Sequence, residues 1–359
     1  MSKYYSKLHL ISLYLVLLIY ISTGIYAATK TSTSNESLAK MDLDQIPTPG
    51  FITSEPDPFE DLTIPYLRSR TYTSNLSELS LYSNNGSYSS YLTSYDSDGL
   101  KINGLITIPN SNENPDTDKH PAIIFIHGYI PPAQYVTTEK YAAYVDYLAR
   151  NGFVVFKIDL RGYGNSEGEA SGAYYSSDYI VDTLNAYAAL QSSDFVDPAK
   201  IGLWGHSMAG NVVFRTVAVK QNIPAVSIWG GAVYTYVDFG DYGISDNSYQ
   251  RPSVDSNRTR KRRLLFETHG DFDENSVFWS KIVPTNYLDD VTTAVQLNHA
   301  VDDNVVSIEY SRNLVEVLKE YPAIVHEINE FSTGGHNIQD PSFTPAMEKT
   351  VEFYRTHFQ

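Results

Sequence analysis

Ile201-Gly-Leu-Trp-Gly205-His206-Ser207-Met208-Ala209-Gly210 is the stretch on which the reading of this chain turns. Four residues suited to a buried strand run into Gly-x-Ser, and a helix-forming stretch, Met208 to Lys220, follows at once. A strand that reverses into a helix through a serine puts that side chain on a sharp, strained turn with its hydroxyl exposed. This is the geometry of a nucleophile elbow. Small residues must flank the serine, because neighbouring segments crowd the turn. Gly205 meets this need before it, and Ala209 and Gly210 meet it after.

On either side of this stretch the chain alternates between short apolar runs and helical stretches. The runs are Ala122–Ile126, Phe153–Ile158, Ile201–Trp204, Ala225–Trp229, Ala294–Leu297 and Ile324–Ile328. Nearly continuous apolar runs of this length suit strands buried on both faces of a parallel sheet. Helical stretches lie at Thr138–Arg150, Asp178–Gln191, Met208–Lys220 and Val306–Glu320. The start of the domain differs. Residues 76–83 alternate apolar and polar, Asn85-Gly86 marks a tight hairpin, 87–95 return, and Asp98-Gly99 leads into Lys101–Ile108. The expectation is an α/β fold: antiparallel N-terminal strands, then a mostly parallel central sheet flanked by helices. No 20–50-residue internal repeat is present, so no β-propeller is encoded.

A serine hydroxyl needs a base. Nine histidines are available, and elimination leaves one. His9 is in the N-terminal segment, His120 at a strand entry, His326 inside a strand, His269 in an insertion and His357 at the end of the last helix. His127 and His206 belong to other motifs, and His299 adjoins the candidate acid. His336, in Gly334-Gly335-His336-Asn337 after the last strand, can swing over the sheet edge as general base. The acid that orients the imidazole should lie between serine and histidine in the chain. Asp302-Asp303 follows the strand Ala294–Leu297; the reading assigns Asp302 and leaves Asp303 as a solvated or capping carboxylate. Ile126-His127-Gly128-Tyr129 ends another strand, so the amides of Tyr129 and Met208 are the candidate oxyanion donors. Asp159 and Arg161 are read as braces of the loop beside the elbow.

Composition narrows the function classes. Twenty-six Lys and Arg against 42 Asp and Glu give a net charge of −16, which argues against nucleic acid as a partner. With no cysteine there is no disulfide framework, thiol nucleophile or thiolate metal site. The histidines lack metal-ligand spacing, so neither metal nor cofactor is expected. Residues 1–28 run from Lys3 and Lys7 through an apolar stretch to Ala27-Ala28. The pattern is that of a secretory signal or, left uncut, an N-terminal membrane anchor. The expected location is therefore secreted or extracytoplasmic. Residues 29–60, rich in Ser, Thr and then Pro, read as a linker ahead of a catalytic domain spanning 61–359.

Taken together and in order, HGY, DLRGYGNSEG, GHSMAG, the Asp302 loop and GGHN resemble the α/β-hydrolase superfamily. Within it the chain is most similar to the catalytic domain of the prolyl oligopeptidase family of serine peptidases, and to the related dienelactone-hydrolase-like esterases. The resemblance implies Ser207 as nucleophile, Asp302 as acid and His336 as base. It implies a serine-type peptidase acting on small peptides or amides, with a carboxylesterase on the same triad as the alternative. Asn304 stands where proline-specific members commonly carry Arg, so the resemblance does not extend to proline specificity.

Residues 233–284 interrupt the strand–helix rhythm and read as a short lid insertion. Its aromatics, Tyr236 and Trp279 foremost, are expected to wall the substrate pocket. The cluster Arg258-Thr-Arg260-Lys261-Arg262-Arg263 reads as a solvated helix face balanced by Asp271, Asp273 and Glu274; an anion-binding patch is the sharper alternative.

Overall fold

A computed structural model describes residues 57–110 and 119–359. The N-terminal segment 1–28 and the linker up to residue 56 lie outside the described residues. The last linker residues, 57–60, are already part of the fold: Phe59 is buried in the main core.

Nine strands form one sheet in the order β1-β2-β3-β5-β4-β6-β7-β8-β9 among the described residues. The first three, β1 (Ser80–Asn84), β2 (Tyr88–Ser97) and β3 (Leu100–Pro109), are antiparallel, and β3 pairs antiparallel with β5 (Val154–Ile158). From β5 onward every pairing is parallel, through β4 (His120–Ile126), β6 (Val196–His206), β7 (Ala225–Trp229), β8 (Ala294–Ala300) and β9 (His326–Phe331). The antiparallel opening and the parallel body are as the sequence leads one to expect.

The apolar runs are continuous because both faces are covered. Along β4, Ile124 and Ile126 enter one core while Ile123 and Phe125 enter the other. Successive side chains of a strand point to opposite faces, so a strand buried twice cannot alternate with polar residues. The helices α1 (Ile64–Ser69), α2 (Ala142–Arg150), α3 (Asp178–Gln191) and α4 (Ala209–Val219) come first in the chain. After β7 come α5 (Val237–Tyr242), α6 (Asn257–His269) and α7 (Val277–Ser280), then α8 (Glu309–Leu318) and α9 (Phe343–His357). One core takes α1, α3, α4 and α8; the other takes Val145 and Leu148 of α2 with Met347, Val351 and Tyr354 of α9. Among the described residues no helix is long and apolar enough to cross a membrane.

The insertion holds α5 to α7 but is not a detached lid. Tyr234, Tyr236, Leu265, Phe278 and Trp279 belong to the same buried cluster as the sheet residues Ile126, Ile158 and Leu203.

Candidate active site

Strand β6 stops at His206 and α4 starts at Ala209, so Ser207 and Met208 make the whole turn. Ser207 has φ +56°, a left-handed conformation costly for a residue with a Cβ. Two backbone hydrogen bonds hold it there: its N–H donates to Trp229 O at 2.9 Å, and its carbonyl accepts from Gly210 N–H at 2.8 Å. The tightness explains the preceding glycine. A Cβ on Gly205 would lie 2.6 Å from Val213 Cγ2.

His336 sits on the short turn Gly335–Asn337 that follows β9. Its Nδ1 is 2.8 Å from Asp303 Oδ2. The acid on the imidazole is thus Asp303, which corrects the assignment of Asp302. Asp303 turns back beneath its own loop, where Oδ1 accepts the amides of Val305 at 2.8 Å and Val306 at 3.0 Å, and its side chain is 1% exposed. His299 adds a further contact, Nε2 to Oδ2 at 3.3 Å. Burial alone would raise the Asp303 carboxyl. Hydrogen bonds from His299 and His336, the charge of His336 and the Val306 amide outweigh that and hold it well below the usual carboxylate range. Asp302 faces the other way. It accepts Thr333 Oγ1 at 2.9 Å, Gly335 N–H at 2.8 Å and Gly334 N–H at 3.3 Å, so it anchors the loop that carries His336. Gly230, at φ +51°, leaves room for the pair: a Cβ there would approach Asp303 Oδ2 and His336 O to 3.3 Å.

Tyr129 and Met208 line the cavity that contains Ser207. Among the described residues neither backbone N–H has a hydrogen-bond acceptor. Two amides left unpaired beside a candidate nucleophile are the donor set an oxyanion requires.

Sequence reasoning missed a buried relay joining these parts. His206 Nε2 is 2.8 Å from the carbonyl of His336 and must therefore be the protonated nitrogen. Burial, and then the neighbouring His336, push this imidazole down to about 3, so it is neutral and its Nδ1 is an acceptor. The Tyr141 hydroxyl donates to that Nδ1 at 2.8 Å and accepts Gly128 N–H at 3.0 Å. One chain of hydrogen bonds thus runs from the Gly128–Tyr129 loop to the loop of His336. Nothing near Tyr141 in the sequence signals this role.

The cavity has a volume of about 650 Å³ and a predominantly apolar wall. Its aromatic lining comes from Phe59, Tyr129, Tyr174, Tyr175, Phe239 and Tyr249. Tyr236 and Trp279, expected on the wall, lie one layer behind it. Tyr236 is buried and donates its hydroxyl proton to Tyr174 O; Trp279 is 1% exposed and edge-on to Tyr175 at 6.2 Å. Both hold up wall residues rather than face the substrate. Arg215 on α4, fully buried, braces the same wall by donating to Ser176 O at 2.8 Å and Leu62 O at 2.7 Å. Arg161 and Asp159 do brace the loop after β5, but through different partners. Arg161 pairs with Asp178 and Asp182, while Asp159 accepts from Tyr135 and Thr137.

The fold coincides with that of solved structures. Over 83% of this chain and 94% of the other, it superposes on acetyl xylan esterase 1 from Thermoanaerobacterium with a TM-score of 0.56 at 18% identity. The chain has the α/β-hydrolase fold. A Mycobacterium tuberculosis puromycin-hydrolyzing peptidase gives a TM-score of 0.58 at 18% identity, covering 77% of this chain and 40% of that one. The serine aminopeptidase S33 family model matches residues 117–234. That of the C-terminal domain of BAAT and acyl-CoA thioester hydrolases matches 184–358. Among curated proteins, thiohydrolase aneE of Aspergillus aculeatus is 33% identical over 126 residues, 35% of this chain and 36% of that protein. Dipeptidyl aminopeptidase A of Saccharomyces cerevisiae is 27% identical over 205 residues, 52% of this chain and 22% of that protein. The matched region of this chain thus spans about a third of the first of these relatives and less of the second.

Proposed function

We propose that this protein is a serine hydrolase that cleaves a carboxylic ester or an amide with an apolar acyl part, through an acyl-enzyme on Ser207. The observation that carries the reading is a left-handed Ser207 with the free amides of Tyr129 and Met208 at one cavity, while the His336–Asp303 pair packs on His206, the residue just before Ser207. Asp303 accepts the Nδ1 proton of His336, which leaves Nε2 as the proton acceptor. Nε2 takes the Ser207 proton as Oγ attacks the carbonyl carbon. The oxygen that becomes negative receives the two amide N–H groups. The imidazolium then returns its proton to the departing alcohol or amine, and a water molecule repeats the sequence to release the acid.

Peptide cleavage, the activity the resemblance implies, would use the same atoms. The mainly apolar wall supports a compact acyl group over an extended peptide, whose backbone needs hydrogen-bond partners along its length. Aminoacyl amides and short-chain p-nitrophenyl esters assayed side by side decide between them; a higher kcat/KM on the amides returns the protein to the peptidases. Ser207→Ala should abolish turnover and fluorophosphonate labelling, and labelling that survives moves the nucleophile elsewhere. The N-terminal segment supports export, which N-terminal sequencing of the expressed protein tests.

A further inference from the structure

In a chain with 42 acidic residues, unpaired cations are unusual where they converge. Arg258, Lys261 and Arg262, spaced along one face of α6, line the same cavity as Ser207. Among the described residues none of the three forms an ion pair, whereas Arg70, Arg150, Arg161 and Arg312 each do. Asp271, Asp273 and Glu274, the expected counter-ions, do not pair with them either. The Arg258 guanidinium lies against the backbone of Gly172, itself on the cavity wall; a Cβ on that glycine would come within 2.5 Å of it. Arg262 stacks over Tyr175 at 4.6 Å, which holds its planar head at the cavity rim.

Three carboxylates share the wall. Asp178 is ion-paired with Arg161 at 2.9 Å, and Asp246 accepts both the amide and the hydroxyl of Ser248. Ser248 is neutral and does not cancel the charge of Asp246, so Asp61 and Asp246 stand against three cations. An apolar cavity with a nucleophile in it and a surplus of cations on one wall complements a molecule that is apolar near its reacting carbonyl and anionic further along.

We propose that Arg258, Lys261 and Arg262 form an anion subsite of the Ser207 cavity, which takes a carboxylate or phosphate carried by the substrate. The proposal rests on the serine-hydrolase reading and names its substrate class. Guanidinium and ammonium groups suit both anions, Arg through paired N–H donors and Lys as a point charge.

The test compares the p-nitrophenyl ester of suberic acid, with its free carboxylate, and the same ester capped as the neutral methyl ester. A charge-assisted hydrogen bond is worth enough to give the anionic ester an advantage of about tenfold or more in kcat/KM. In the triple variant Arg258→Gln, Lys261→Gln, Arg262→Gln the ratio should fall to about one. In the charge-keeping variant Arg258→Lys, Lys261→Arg, Arg262→Lys most of the preference should survive. A ratio near one in the parent overturns the subsite; Ser207-dependent turnover of the methyl ester would leave the hydrolase reading standing. Calorimetry with octanoate, octyl phosphate and octanol needs no turnover at all. Tighter binding of either anion than of octanol, lost in the glutamine variant, supports the subsite and says which anion it prefers. Equal binding of all three overturns it.

Discussion

Asp302 and Asp303 are chemically identical neighbours with opposite orientations, and their environments assign their work. Asp303 is buried, accepts two backbone amides and two imidazoles, and stays ionised far into acid. Protonation of this carboxylate therefore does not set the acid limb of the pH–rate profile. Asp303→Asn should lower kcat by about 10⁴-fold, since the amide cannot hold the catalytic tautomer. Asp302→Asn should cost far less, because two of its three bonds come from loop amides that an Asn oxygen still accepts in part. Steady-state kinetics of the two variants check this, and the reverse ranking would restore Asp302 as the acid. The relay through Tyr141 yields a second expectation. Tyr141→Phe leaves Gly128 N–H and His206 Nδ1 without partners, at about 1–3 kcal/mol of stability. Since the relay touches both the Tyr129 loop and the His336 loop, kcat should fall with KM little changed. A loss of stability with unaltered kcat would make Tyr141 a purely structural residue.

Elements were legible where burial is two-sided and obscure where a single contact decides. The apolar runs mark β4, β5 and β7 closely and fall inside the longer β6 and β8, and Asp178–Gln191 is a helix over that very span. Helix α2 begins at Ala142 rather than Thr138, and β9 runs His326–Phe331, two residues later than its apolar run suggests, because an edge strand need not be apolar throughout. Helix α1 carries no long periodic signal. It is six residues long and owes its place to Ile64 and Leu67 packing on the core. The strand-end position of Ser207 and His336 follows from the parallel order, but neither the choice between Asp302 and Asp303 nor the direction of Tyr236 does. Those depend on loop backbone that adjacent residue types do not encode. The loop after β5 adds a pH test. Burial pushes Asp159 up to about 6 from 3.8, against the hydrogen bonds of Thr137 and Tyr135 and the nearby charge of Lys157. A carboxyl with a raised folded value stabilises the fold below about pH 4, and that contribution is lost as pH rises through about 6. Relative to Asp159→Asn, the parent should lose roughly 2–3 kcal/mol between those limits. Urea titrations at pH 4 and pH 7 measure it; a difference that does not change with pH would mean Asp159 is charged throughout.

At the scale of the whole molecule, the insertion and the sheet behave as one body because they share a core. Trp279 is buried among Phe266, Phe272, Phe278 and Tyr175, and through Tyr236 and Tyr234 the same cluster reaches Phe214 on α4, the helix that begins just after Ser207. Removing a large buried aromatic costs about 3–5 kcal/mol through lost burial and the cavity left behind. With one continuous core, that loss should lower the single unfolding transition of residues 57–359 rather than split off a separate melting of the insertion. Trp279→Ala should therefore lower Tm as one transition, and reduce kcat across substrates of every size by loosening the wall that Tyr175 forms. Phe239→Ala should act differently. Phe239 lines the cavity itself, so its loss should raise KM for long acyl chains more than for short ones, with a smaller change in Tm. Calorimetry paired with a KM series over acyl length separates the two. An insertion that melts on its own in Trp279→Ala, with the sheet's transition unmoved, would show that the shared core does not couple them.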